Sequence, residues 1–391
     1  MTYDCVVVGG GPAGATVATE LARGGRSVLL LDRGGRIKPC GGAIPPRLIR
    51  DFAIPDDLIV GRATSARMVA PSNRTVDMPV DPSGQGGFVG MVDRESFDEW
   101  LRTRAALAGA ERRTGLFERI ARDADGCALV CYTETRGGTE HRVRARCVIG
   151  ADGANSRVAS AALGAGERMP CVFAYHEVIR LPPAVERYRC EVFYQGALSP
   201  DFYAWIFPHG DTASVGVGSA DKGFGLRDAT ARLREQVGLA ACETVRCEGA
   251  PIPLRPRRRW DNGRDVLVTG DAAGVVAPAS GEGIYYAMVS ASHTADAAEA
   301  FLVTGNPRAL RQARRTFMRA HGLVFGILRV MQYFWYRNDR RRERFVAMCA
   351  DRDVQHLTWH AYMNKRLIYA RPLAYARIFV KDMRHLLQTA A

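Results

Sequence analysis

The chain has 391 residues, 47% of them apolar, enough for two or three packed units with a real core. Its ten cysteines fall mostly singly, with no Cys-x-x-Cys, which argues against a zinc site or a redox dithiol and fits a reducing, cytoplasmic setting. The net charge of +13 comes without a nucleic-acid recognition module, so it points to an anionic membrane surface or anionic substrate, with part of the excess spread over solvated faces.

The chain enters a strand almost at once, so no cleavable signal is expected, and no apolar run is long enough to predict a spanning helix. Cys5-Val6-Val7-Val8 reads as a buried strand that runs into Gly9-x-Gly11-x-x-Gly14. Helical spacing follows over Ala13 to Arg23, then a second apolar run, Val28 to Leu31, closed by Asp32 and Arg33. This is the pattern of a βαβ unit that holds a dinucleotide. Gly9 permits the turn, Gly11 the approach of a pyrophosphate, and Gly14 close packing of helix on strand. The backbone through Pro12 and Ala13 presents the helix N-terminus to the phosphates. Asp32, 18 residues past Gly14, is placed to accept ribose hydroxyls and would repel a 2′-phosphate, which favours FAD or NAD over NADP.

Arg36 to Ala43 is a loop, because Pro39 and Gly41-Gly42 preclude regular structure. Arg67 to Val80 reads as strands interrupted at Pro71, and Asp93 as the N-cap of a helix through Phe97, Trp100, Leu101 and Ala105. Cys127 to Thr133 and His141 to Val148 form an expected hairpin around Gly137-Gly138, which leads to Gly150-Ala151-Asp152-Gly153. Val172 to Ser219 has strand character, Arg255 to Arg259 is a basic connector, and Val266-Leu267-Val268 is a further buried strand. From Ala287 the pattern is helical to the C-terminus. The expected organisation is a discontinuous cofactor domain (1–165 with 258–310), a β-sheet substrate domain (166–257, joined by 66–90) and a helical region (311–391).

Gly270-Asp271 closes a buried strand, and Gly281-Glu282-Gly283-Ile284 opens a helix. A second carboxylate and a second helix start suit a long ligand. Asp271 would bind a ribityl chain and the amides around Gly281, Gly283 and Ile284 would face a flavin pyrimidine, which favours FAD over NAD. Arg94 either reaches that cofactor or is a helix-start surface arginine, and Asp152 either binds it or closes a turn. Cys40 is either a thiol presented on a loop, mostly protonated at neutral pH and able to donate, or a small buried hydrophobe. Tyr203, Trp205 and Phe207 alternate onto one strand face and form either a wall for a greasy substrate or sheet core. Gly322 to Tyr336 carries Arg329 as its only charge and is followed by Arg337 and Arg340 to Arg342. It is either an interfacial segment or a core helix.

These elements together resemble the geranylgeranyl reductase family, flavoproteins with the fold of the aromatic hydroxylases. The resemblance rests on Gly9-x-Gly11-x-x-Gly14, Lys38-Pro39-Cys40-Gly41-Gly42, Asp93-Arg94, Gly150 to Gly153, Tyr203-Ala204-Trp205-Ile206-Phe207-Pro208, and Gly270-Asp271 with Gly281 to Gly283. Met348 to Asp351, Val354-Gln355 and Tyr362 near Lys365 resemble the (bacterio)chlorophyll branch. The implied fold is α/β, an FAD-binding Rossmann-like domain with an inserted antiparallel sheet and a helical C-terminal region. The implied activity is NADPH-dependent saturation of a geranylgeranyl chain to phytyl, on the bacteriochlorophyll ester or the free diphosphate, at the cytoplasmic side of a photosynthetic membrane. NADPH would dock transiently, without a second fingerprint. An isolated alkene cannot stabilise a carbanion, so a proton must accompany hydride; Cys40 is the first candidate donor and Tyr203 the second. Tyr203, Trp205 and Phe207 would line the chain's tunnel. The rivals are an aromatic hydroxylase with the same cofactor, a reductase of another isoprenoid lipid, and a non-catalytic flavin or pigment carrier.

Overall fold

The computed structural model describes residues 2–35, 37–82, 84, 86–164 and 169–365. Arg36 of the expected loop, and the expected helix beyond residue 365, lie outside the described residues. The chain divides into two compact units, Met1–Lys38 with Arg94–Val172 and Pro251–Val330, and Pro39–Asp93 with Phe173–Ala250 and Met331–Ala391.

The first unit is built on a seven-stranded sheet. Its parallel heart is Thr2–Val8 between Val28–Asp32 and Glu140–Gly150, with Val7 opposite both Leu30 and Ile149. Glu111–Thr114 and Val266–Val268 extend the parallel part. The expected hairpin is present, Ala128–Thr133 pairing antiparallel with Glu140–Gly150 and then with Leu116–Arg122. Val6, Val7, Leu29, Val148 and Ile149 are fully buried, as strands covered on both faces require. The helix Pro12–Arg23 starts on a proline, where the missing N–H costs nothing. Small residues such as Gly14, Ala15 and Ala18 let it pack closely, and almost all of it is buried. The helix Ile284–Thr304 opens where the Gly281-Glu282-Gly283-Ile284 stretch predicts, with Gly283 as its cap.

The second unit holds a seven-stranded sheet in the order Thr244–Pro253, Cys171–Arg180, Thr212–Ser219, Ala204–His209, Arg189–Phe193, Ser65–Val69, Thr75–Pro79. Pro71 sits in the turn between the last two strands. A three-stranded sheet, Ala43–Ile44, Val89–Val92 and Ile59–Ala63, accompanies it. One face of the larger sheet packs on the helix Leu226–Gln236, where Ala204, Ile206, Val215 and Val217 meet Ala229 and Leu233. Residues 205 and 207 therefore point to the opposite face.

The long helix Arg311–Trp335 has two characters. Phe317 and Phe325 are buried against Trp260 and Tyr286. On another face Leu323, Ile327, Val330 and Tyr333 are exposed, Tyr333 by 71%. Beyond it, Arg342 of the helix Asp339–Met348 is fully buried and donates to the carbonyls of Tyr336 and Ser199.

Candidate functional site

In the first unit the fingerprint glycines each do a distinct physical job. Gly9 has φ +105°, and a side chain there would strike the Ala151 backbone. A Cβ on Gly14 would overlap the Gly9 carbonyl oxygen, so helix and strand touch backbone to backbone. At Gly11 a Cβ would meet nothing within 4 Å, which leaves open the space in front of the helix start. Gly11 caps the Pro12–Arg23 helix with no side-chain hydrogen bond, so Ala13 and Gly14 begin a helix whose end is available to an anion.

Asp32 ends its strand beside this cradle, and Arg33 next to it is exposed. Arg102 lies 3.4 Å from Asp32 Oδ2 and donates to the Gly10 carbonyl at 3.4 Å. Arg102 had no motif of its own; its one signal is that it falls eight residues after Arg94, on the same helix side. Gly270, at φ +62°, would place a Cβ 2.7 Å from that of Ala13, so the second carboxylate is brought to the same cradle. Its amide is held by Ser290 Oγ at 3.2 Å. Asp271 accepts an ion pair from Lys38, and its Oδ1 lies within 3.6 Å of where a Cβ on Gly283 would be. Gly281 donates its amide to the Ala277 carbonyl at 2.9 Å. The helix that starts at Ile284 likewise has no side-chain cap. Two uncapped helix starts, two carboxylates and an open glycine face fit a long, pyrophosphate-bearing flavin nucleotide. Gly9 to Gly14, Asp32, Asp271 and the Gly283–Ile284 turn would hold it.

Two other residues are engaged within the protein. Arg94 is buried and binds Asp98 with both ends, at 3.0 and 2.7 Å. Asp152 gives one oxygen to the Ser156 hydroxyl and the other to the Arg157 and Val158 amides, capping the short helix Arg157–Leu163. Burial raises the Asp152 carboxyl above the usual range, against the pull of those bonds.

In the second unit the Pro39–Gly42 loop lies on the aromatic face of the larger sheet. A Cβ on Gly41 would come 2.9 Å from the Phe207 ring and 3.8 Å from Trp205 Nε1, so only glycine lets the loop lie this flat. Gly42, at φ +67°, has its Cα edge against His209 Nε2. Cys40 is half-buried, and its Sγ accepts the Gly42 amide at 3.4 Å. Tyr203 falls one residue before the strand Ala204–His209, yet its ring stays in the row: Tyr203 to Trp205 is 6.0 Å and Trp205 to Phe207 is 6.1 Å. The row lies on the face away from the Leu226–Gln236 helix, where Tyr203 and Trp205 are buried and Phe207 packs against Ala63, Met91 and Cys190. His209 donates from Nδ1 to the Phe207 carbonyl at 2.9 Å. Burial holds its imidazole below the ordinary value, and the opposing pulls of that carbonyl and Asp93 do not cancel it.

Residues 2–315 match the FAD-binding domain family. Fold and cradle together define an FAD-dependent oxidoreductase. The chain is 55% identical over 389 residues to the geranylgeranyl diphosphate reductase of Rhodobacter capsulatus, covering 99% of this chain and 98% of that one. It is 36% identical over 405 residues to the geranylgeranyl diphosphate reductase of Synechocystis, with 99% and 98% covered. A geranylgeranyl bacteriochlorophyll reductase-like protein from Thermoplasma acidophilum shares the fold, with a TM-score of 0.79 at 20% identity over 95% of this chain and 99% of that one. The chain belongs to the geranylgeranyl diphosphate reductase family.

Proposed function

We propose that the protein saturates the geranylgeranyl chain to phytyl, on geranylgeranyl bacteriochlorophyll, geranylgeranyl diphosphate or both. The observation that carries this reading is the Cys40 loop lying flat on the Tyr203–Trp205–Phe207 face. It sets the loop that carries the thiol against a row of aromatic rings on the face away from the helix Leu226–Gln236. FAD held by Gly9 to Gly14, Asp32 and Asp271 would supply the hydride, with NADPH as the source of its electrons. The protein's own residues do the rest. The aromatic rings bind an extended isoprenoid and exclude water, and the Cys40 thiol holds the proton that must reach the second alkene carbon. A placed acid of this kind contributes about 10²–10⁴-fold. Tyr203 is the alternative donor from the same face.

The exposed stripe of the Arg311–Trp335 helix supports docking on an anionic bilayer, where such a substrate resides. Covering the exposed parts of Leu323, Ile327 and Val330 would contribute on the order of 1 kcal/mol each, with Tyr333 adding its ring. Arg329 and Arg337 would each add about 1 kcal/mol near the surface.

The test is incubation of the purified protein with FAD, NADPH and each headgroup in turn, followed by product masses. Stepwise gain of hydrogen pairs up to the phytyl form is expected for at least one of them. No mass gain with either, alongside oxygen-dependent NADPH consumption, would replace this reading with a hydroxylase.

A further inference from the structure

Along the aromatic face runs a buried polar row that no step above uses. Trp205 donates from Nε1 to Ser214 Oγ at 3.0 Å, and Ser214 Oγ lies 3.0 Å from His176 Nδ1. His176 Nε2 is 3.3 Å from Glu248 Oε2, Glu248 Oε1 pairs with Arg246 at 3.1 Å, and Arg246 reaches Asp93 at 3.5 Å. Trp205, Ser214 and His176 are all at least nine-tenths buried. An indole N–H can only donate, so Ser214 Oγ accepts from it and meets the His176 imidazole on its other side. The indole stands at one end of this row of contacts.

The strands are built to admit it. A Cβ on Gly216 would collide with the Trp205 ring and come 2.5 Å from His176 Cβ. Ser214 is diagonal to Trp205 across the pair Ala204–His209 and Thr212–Ser219, where Trp205 faces Gly216 and Phe207 faces Ser214. A buried hydroxyl and imidazole cost desolvation that an apolar pair would avoid. What they give in return is a single ring orientation beside Gly41.

We propose that His176, acting through Ser214, is a positioning residue that fixes the Trp205 indole, and so sets how the isoprenoid chain registers against the Cys40 loop. The proposal rests on the reductase reading above. Register matters because each double bond must come in turn to the same reacting point, so a loosened ring should leave chains partly saturated.

Thr and Val have nearly the same shape and differ by the hydroxyl, which makes Ser214→Val and Ser214→Thr the deciding pair. With flavin content and thermal midpoint matched, Ser214→Val should lower kcat/KM on the geranylgeranyl substrate about tenfold, the factor set by losing a buried hydrogen-bond partner. It should also release dihydro and tetrahydro products, whereas Ser214→Thr restores the fully saturated product. Identical product distributions from the two variants would overturn the proposal. Should both fold poorly, His176→Asn, which can still face the hydroxyl, against His176→Leu decides in the same way. A wild-type protein inert toward every geranylgeranyl substrate would instead sink the reductase reading.

Discussion

At Cys40 a half-buried thiol sits on a backbone that cannot carry side chains at the next two positions, since Phe207 and His209 occupy that space. Cys40→Ser should therefore keep its FAD while turnover falls about 10²-fold, the lower end of what a placed acid contributes. Turnover per bound flavin checks this, and an unchanged rate would remove the acid role. His209, against the same loop, predicts a pH effect. Burial holds its folded pKa below the unfolded value of about 6.5, so the unfolded chain binds the proton more readily. The stabilising contribution is thus fully present above about pH 6.5 and is lost as pH falls through the lowered value. The thermal midpoint should drop more steeply between about pH 7 and about pH 5 in the wild type than in His209→Gln. Equal slopes would contradict this. Cys40, Trp205 and Phe207 were legible in the sequence as motif residues. Their supports, Ser214 and His176, were not, because a diagonal cross-strand neighbour depends on a register that only the paired strands define. Arg94 and Asp152 were visible by position, but their engagement with Asp98 and with a helix cap depends on local side-chain geometry.

The opening βαβ unit was the most legible element. Strand, glycines, helix, strand and acid follow in order, and each constraint is local. Each glycine already had its own job in the sequence, and the structure supplies the contacts that set those jobs apart. Gly14→Ala would drive a methyl into the Gly9 carbonyl, so it should lower both the thermal midpoint and flavin content. Gly11→Ala enters open space, so the fold should hold its midpoint while FAD affinity falls at least about tenfold, as a methyl stands where the pyrophosphate approaches. Flavin content and thermal melting of the two variants check the contrast. Equal loss of midpoint in both would contradict it. The Lys38–Asp271 ion pair was hidden, since 233 residues separate its partners.

For the whole molecule the charge of +13 and the apolar stretch near residue 330 were plain, but their arrangement was not. Residues 322–336 read as either core or interface because apolar residues lie all round the helix. The structure divides them, with Phe325 and Trp335 buried and Leu323, Ile327, Val330 and Tyr333 outside. No helix among the described residues is long and apolar enough to cross a membrane. Replacing the four exposed side chains with serine should abolish co-sedimentation with anionic vesicles while leaving flavin content unchanged. Raised salt should weaken the wild-type interaction, because the arginine share is screened. Retained sedimentation would move membrane docking elsewhere on the surface.

Electrons from the flavin are expected to pass to an isoprenoid alkene and not to oxygen. The most direct measurement is anaerobic: reduce the FAD-loaded protein with one equivalent of NADPH, add geranylgeranyl bacteriochlorophyll or the diphosphate, and follow the flavin band and the product mass together. The oxidised band should return without oxygen, matched by one hydrogen pair gained per flavin. A flavin that stays reduced with both substrates until air is admitted would contradict it.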